Sequence, residues 1–361
     1  MRMLALTVLL AGCGHSEPFG SGRANPIGLP FQGGRPTQLS LNLYNDNWPS
    51  WTPDGSRILY SAEQTPPNLD RCALSIAATG GTATPLRCPS LIPNGLQEDY
   101  DAPVSDGRRL AWLRAVRPTP SSARYTWTLW VQEGAGADSL PVQAFPYDAP
   151  SGHPHDLPRY IQWLKPGMLL YLGTEIGSCC TTDTLWFGEQ AVLLDLTGPT
   201  PVRTFIPGTE RASAVSAAPD GSEIYYTFYG DSVVYRQVLA TGVESALFNF
   251  GYGHVVRDPV VQGTHLLAVV DGKADVRVIP PFGLVQIDKG GVLQAVDLGT
   301  GTVVTLEDIS HFFRHPRLSP SGTRLLAEGF PYVLVSVPIG PDVFVTDTIV
   351  TLTTDIWLWE E

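Results

Sequence analysis

The stretch WPSWTPDGSRILY, residues 48–60, decides the fold. Within it, Thr52-Pro53-Asp54-Gly55 has the chemistry of a type I turn. Proline presets φ at the second position, aspartate tolerates the third, and glycine accepts positive φ at the fourth. Such a glycine makes the bulge of a three-residue hairpin loop. Trp48–Trp51 on one side and Ile58-Leu59-Tyr60 on the other are strand formers. The stretch predicts strand, tight hairpin, strand.

The pattern recurs. With Gly55 as anchor, related segments are YDAPVSDGRRLAWLRA at Gly107, YIQWLKPGMLLYLGT at Gly167, AVSAAPDGSEIYYTF at Gly221, RDPVVQGTHLLAVV at Gly263 and HPRLSPSGTRLLAEG at Gly322. Each is followed by another β pair, such as CALSIAATGGTATPL after the first and SVVYRQVLATGVESALF after the fourth. Two hairpins give a four-stranded antiparallel unit. Sheets this small bury both faces only by stacking, and radial stacking leaves short, protected edges. The expectation is an all-β, six-bladed β-propeller. The sixth unit stops at its third strand, DIWLWEE (355–361), while PTQLSLN (36–42) is an orphan strand before the first unit. Pairing the two closes the ring and removes an open edge. Residues 271–291 and 330–353 hold enough β-forming sequence for a seventh blade as the alternative.

The segment PSWTPDGSRILYSA resembles the PD40 repeat, the WD40-like unit of the TolB family of six-bladed periplasmic propellers. Pro49, Trp51, Pro53, Asp54 and Gly55 carry the resemblance, and Pro219-Asp220-Gly221 repeats it. Ser105-Asp106-Gly107 and Pro320-Ser321-Gly322 match in part. The resemblance spans 36–361 and departs from TolB in carrying a lipobox-like leader and no room for an N-terminal α/β domain.

That leader is MRMLALTVLLAGCGHSEP. Its apolar run, Leu4 to Leu10, suits an export signal and is too short to span a bilayer. Leu10-Ala11-Gly12-Cys13 resembles the bacterial lipobox, which implies cleavage before Cys13 and lipid on its thiol; an ordinary secretory signal is the alternative. The expected organisation is a signal peptide at 1–12, lipidated Cys13 with a Gly/Pro/Ser-rich tether over 13–35, and the propeller over 36–361. The expected location is the cell envelope, at the outer membrane if the host is Gram-negative. The formal charge of −12, with no Lys/Arg run, argues against nucleic acid and against a polybasic membrane patch. Export permits disulfides. Cys72 and Cys88 flank a hairpin and are the candidate bridge. Cys179-Cys180 are adjacent, and no CxxC exists.

In a propeller the Pro-Asp-Gly turns lie on one face, and the long connections lie on the other. Here the long segments are 145–159, 174–189, 271–291 and 330–354, which makes the loop-rich face the expected binding face. Asn47, Asp99, Arg159, Ser213, Arg257 and Arg314 align before the inner strands and should ring its mouth. Arg159, Arg257 and Arg314 are candidate anion-binding residues, with local acid pairing as the alternative. His153, His155, His254, His311 and His315 fall in the same connections, and His254, His311 and His315 join the candidate set. HPHD (153–156) with His254 or His315 would suit a transition metal, which raises a glycan lyase or hydrolase as the competing class. Trp186 is the best candidate for stacking on a sugar. No nucleophile elbow, P-loop or zinc-protease motif is present. The favoured expectation has no catalytic residue, metal or cofactor: a lipid-anchored module that binds an envelope protein or peptide. A receptor for a small anionic ligand is the third option.

Overall fold

The computed structural model describes residues 31, 34–40, 44–64, 71–89, 97–117, 124–134, 139–148, 158–173, 189–272, 274–279, 283–306, 311–340, 343–350 and 353–360. A short strand, β1 (Thr37–Gln38), precedes blade 1, which is β2 (Asp46–Trp51), β3 (Arg57–Glu63), β4 (Arg71–Ala77) and β5 (Thr84–Arg87). Blade 2 is β6 (Gln97–Ser105), β7 (Arg109–Arg117), β8 (Arg124–Glu133) and β9 (Ser139–Asp148). Blade 3 is β10 (Arg159–Lys165), β11 (Met168–Gly173), β12 (Gln190–Asp195) and β13 (Val202–Phe205). Blade 4 is β14 (Ala212–Ala217), β15 (Glu223–Phe228), β16 (Val233–Val238) and β17 (Val243–Asn249). Blade 5 begins with β18 (Val256–Gln262) and β19 (His265–Val270), is interrupted by the hairpin β20 (Ala274–Ile279) and β21 (Gly283–Asp288), and ends with β22 (Val292–Asp297) and β23 (Thr302–Thr305). Blade 6 is β24 (His311–Leu318), the long β25 (Arg324–Gly340), β27 (Asp355–Glu360) and β1, with β26 (Val343–Val350) paired to the outer half of β25. The chain is a six-bladed β-propeller, with no helix among the described residues.

The ring closes as the sequence predicts: Thr37 pairs with Leu358 and Gln38 with Trp357. The closing strand is shorter than 36–42, and Leu39 adds one more bond to the Ile356 carbonyl at 2.8 Å. A seventh blade is not formed. Residues 274–288 make a hairpin between the second and third strands of blade 5, and 330–350 extend blade 6 in the same way. Neither pair gains the two further strands that a blade needs.

The second strand of each blade is apolar on both faces because each face meets a different neighbour. In β11, Leu169 and Tyr171 pack with Leu113 and Leu129 of blade 2, while Leu170 and Leu172 pack with Ala214, Ile224 and Tyr226 of blade 4. Strict alternation of side chains thus turns one strand into the seam of two interblade cores.

The quoted stretch is turn chemistry. Gly55 has φ +65° and donates its N–H to the Thr52 carbonyl at 2.8 Å. The Asp54 carboxylate accepts the Thr52 hydroxyl at 2.6 Å and the Ser56 hydroxyl at 2.7 Å. These bonds, Thr52 first and then Ser56, bring its pKa down to about 2. Asp220 and Ser222 repeat the device in blade 4. Trp51, the repeat's tryptophan, laces blades together: its Nε1 donates to the Arg317 carbonyl of blade 6 at 3.0 Å. Trp163 makes the same bond from blade 3 to the Val104 carbonyl of blade 2 at 3.2 Å. Cys72 and Cys88 form a disulfide, Cα–Cα 4.4 Å, across the outer edge of blade 1. Cys13, the tether apart from Phe31, Gly34 and Arg35, Cys179, Cys180, His153, His155 and Trp186 lie outside the described residues; Phe31 is buried in the core that holds Leu325 and Trp359.

Candidate functional site

Each innermost strand carries a β-bulge, at one register position in five blades (between Asn47/Ser50, Asp101/Val104, Arg159/Gln162, Arg257/Val260 and Arg314/Arg317) and one pair nearer the loop face in blade 4, between Ala212/Ala214. A bulge re-aims a side chain and frees one N–H from the ladder. In five blades the re-aimed residue takes a left-handed φ of 47–57° without being glycine: Trp48, Ala102, Tyr160, Asp258 and His315. The neighbouring blade catches several of the freed donors. Ala102 N–H reaches Ser61 Oγ at 2.9 Å, Trp48 N–H reaches Glu328 Oε1 at 2.5 Å, and His315 N–H reaches Asp258 Oδ2 at 2.9 Å. Ser61 and Glu328 hold equivalent places, opposite Asn47 and Arg314 in their own ladders.

The bulges build a rosette on the axis. Trp48 and His315 stack with ring centroids 3.9 Å apart, and Tyr160 meets both edge-on at 5.8 and 5.4 Å. Tyr160 donates its hydroxyl to Asp258 Oδ1 at 2.6 Å. Glu328 receives Arg314 Nε at 2.5 Å and lies 2.7 Å from His315 Nδ1. Burial alone would raise the Glu328 pKa, but Arg314, then His315, outweigh it and bring it to about 2. Asp258 is lowered in the same way, with burial opposed by His315, Arg257 and the Tyr160 hydroxyl.

The candidate residues therefore separate. Arg314 and His315 belong to the buried rosette network, and Arg314 also donates to Asn47 Oδ1 at 3.0 Å. Arg159, the first residue of β10, is paired with Glu189 and donates to the Tyr229 hydroxyl at 2.6 Å. Arg257 flanks Asp258, and its guanidinium fills the space beside Gly272. The ring of the sequence reading needs two corrections. Its blade 2 member is Asp101, paired with Arg71 at 2.8 Å, rather than Asp99. Its blade 4 member by register is Ala214, opposite Thr227, because the blade 4 bulge at Ser213 lies one pair nearer the loop face. The first-strand turns differ in length between blades, so a fixed offset from the glycine slips the register. His311 and His315 lie within β24 rather than in a connection. The described histidines do not converge: His254 pairs with Asp271 at 2.8 Å, His311 stacks on Phe313 and lies tilted against Trp357, and His315 faces Glu328. No group of metal-ligating side chains occurs among the described residues.

The sequence reading missed Trp48, Tyr160 and Glu328, and offered Asp258 only as an acid for local pairing with the arginines. A signal was present for the bulges. Pro49, Pro103, Pro259 and Pro316 stand at the second bulge position of four blades, and proline in an inner strand is tolerated at a bulge.

On the turn face the channel opens into a funnel of about 440 Å³. Ser50, Val104, Gln162, Ser216, Val260 and Arg317, which share one register position in the six inner strands, all line it. On the loop face, blade 4 presents Tyr229 in the turn after β15 and Tyr252 in the connection after β17, both exposed. A recess of about 470 Å³ lies beside Tyr229, lined by Glu210, Arg211 and Phe228.

Solved structures similar to this chain include a gluconolactonase from Xanthomonas campestris, 11% identical, with TM-score 0.54 over 92% of this chain and 91% of that one. The calcium-binding protein regucalcin from Agrobacterium tumefaciens is 14% identical, with TM-score 0.50 over 83% of this chain and 86% of that one. TolB from Acinetobacter baumannii is 13% identical, with TM-score 0.45 over 93% of this chain and 66% of that one. What they share with this chain is the propeller. No family model matches the sequence, and no curated protein does.

Proposed function

We propose that this protein is a non-catalytic binding propeller of the cell envelope, held by a lipid on Cys13, that takes a protein or peptide partner on its loop-rich face. The observation that carries the reading is the pair of exposed tyrosines on blade 4. Tyr252 is 105% exposed and Tyr229 49%. Tyrosine supplies large contact area at low entropic cost and is enriched where proteins meet. Tyr229 is also pre-positioned, because its hydroxyl is held by Arg159 and lies 3.0 Å from Glu189 Oε2. The hairpins β20–β21 and β25–β26 leave from the same face, since both interrupt second-to-third strand connections. The paired arginines beneath them act as supports for this surface.

The test is affinity purification of the tagged, lipidated protein from its native membrane, with quantitative mass spectrometry. Two variants accompany it: Tyr252→Asp, and one with 274–288 replaced by a Gly/Ser loop. One envelope protein should co-purify and fall about tenfold in both variants. A partner retained at full level in both variants would place the contact elsewhere and sink the reading. Loss of palmitate labelling in Cys13→Ser tests the anchor.

A further inference from the structure

The six residues that ring the inner end of the turn-face funnel are Ser50, Val104, Gln162, Ser216, Val260 and Arg317. Five are uncharged, and the sixth is a cation. Its guanidinium makes a single weak contact, 3.4 Å to the Pro316 carbonyl, and has no carboxylate within ion-pair range among the described residues. The acids behind it are occupied. Asp258 gives one oxygen to Tyr160 and the other to His315 N–H, and Glu328 is shared by Arg314, His315 and Trp48. Burial lowers the Arg317 pKa, and attraction from Asp258 and Glu328 at a distance offsets only part of this. A partly desolvated cation without a contacting anion is a costly arrangement, and a bound anion relieves it. On the same ring the Ser216 hydroxyl is buried and has no hydrogen-bond partner.

We infer that the funnel binds a small organic carboxylate, its two oxygens forked on Arg317 and its apolar body against Ile161, Trp163 and Leu318. The volume, about 440 Å³, is that of a small-molecule site. The planar guanidinium fork matches a carboxylate. A phosphate suits the site less. The other charges lining it are Lys165, exposed at the rim, and Asp106, whose oxygens accept Arg108 and Arg109 N–H at 3.0 and 2.5 Å and Gly167 N–H at 3.4 Å. A dianion would face one half-buried cation, apolar walls and a carboxylate. This site lies on the face opposite the exposed tyrosines and stands or falls separately from partner binding.

The experiment is calorimetric titration of the full chain with benzoate, benzamide and inorganic phosphate, in wild type, Arg317→Met and Arg257→Met. Benzoate should bind wild type and Arg257→Met alike, and should bind Arg317→Met roughly 10- to 100-fold more weakly. Benzamide, which has the same shape without the charge, should bind as weakly as benzoate does to Arg317→Met. In parallel, the ¹H–¹⁵N indole resonance of Trp163 in wild type should shift with benzoate and not with benzamide. This readout needs no variant to fold. Equal benzoate affinity in wild type and Arg317→Met, an unmoved Trp163 indole at saturating benzoate, or phosphate binding where benzoate does not would each overturn the inference. Loss of binding in Arg257→Met instead of Arg317→Met would move the anion site to the loop face and overturn it as well.

Discussion

Arg314 and Arg317 lie three residues apart on one strand, on either side of one bulge, and their surroundings are opposite. Arg314, on the loop-face side of the rosette, spends its guanidinium on Glu328 and Asn47. The other arginines of that side follow suit: Arg159 on Glu189, and Arg71 on Asp101 and Glu63. Among the described residues, Arg317, on the turn-face side, has only a carbonyl. The loop face is richer in charge, yet those arginines are neutralised where they stand. At the inner end of the turn-face funnel stands one half-buried cation with no carboxylate in ion-pair range among the described residues. The comparison teaches that a count of charged side chains near a channel says little about ligands. What matters is the charge left over after local pairing.

The two sides should respond differently to loss of charge. The largest effect is expected at Glu328, fully buried between Arg314 and His315. Glu328→Gln leaves both neighbours without their anion and should lower stability by about 3–5 kcal/mol, read by urea denaturation at pH 7. Its folded pKa of about 2 lies below the ordinary 4.5. The stabilisation is therefore complete above pH 4.5 and disappears as pH falls toward 2, and the variant should lose that part of the acid dependence. A small effect would mean that the loop-face network does not hold the rosette together.

A smaller loss, about 1 kcal/mol, is expected for Trp163→Phe, which removes the lacing bond to the Val104 carbonyl and keeps the ring. It asks whether the turn face has structural bonds of its own. Asp355 probes an acid on the loop side whose burial, only partly offset by Gln38 and Ser40, raises its pKa from 3.8 to about 6. The folded state then holds the proton more tightly, so stability falls as pH rises between about 4 and 6. Because the group is partly exposed, screening reduces the effect, and Asp355→Asn should gain about 1 kcal/mol at pH 7 and nothing at pH 4. The smallest change is expected for Arg317→Met, within about 1 kcal/mol of wild type, because no ion pair is broken. A loss as large as that of Glu328→Gln would show Arg317 to be a structural member of the rosette and erase the contrast between the two sides.

Much of the site was readable as a list of residues and little of it as an arrangement. Arg159, Arg257 and Arg314 are legible as residues just before the inner strands, near the mouth, and His315 only as a residue of a connection. Their partners are not, because Glu189, Tyr229, Glu328 and Asn47 come from other strands or blades. Trp48 and Glu328, in direct hydrogen-bond contact, are 280 residues apart in the chain. Arg317 left a trace in the sequence. Once the repeats are aligned by strand register, its column holds Ser50, Val104, Gln162, Ser216 and Val260, and it is the one charge. Unequal turn lengths in the first hairpins hid that column from alignment on the glycines.

The sequence by itself determined the propeller. Turn residues, the alternation of apolar side chains and the orphan strand before the first unit are local signals, and each acts over a few residues. The tertiary structure decided the centre. Non-glycine residues accept left-handed φ at Trp48, Tyr160, Asp258 and His315 because closing the ring brings aromatic partners and hydrogen-bond acceptors from other blades. Which arginine is neutralised and which is left for a ligand follows from the same convergence. Six strands meeting on one axis juxtapose side chains that no local pattern relates.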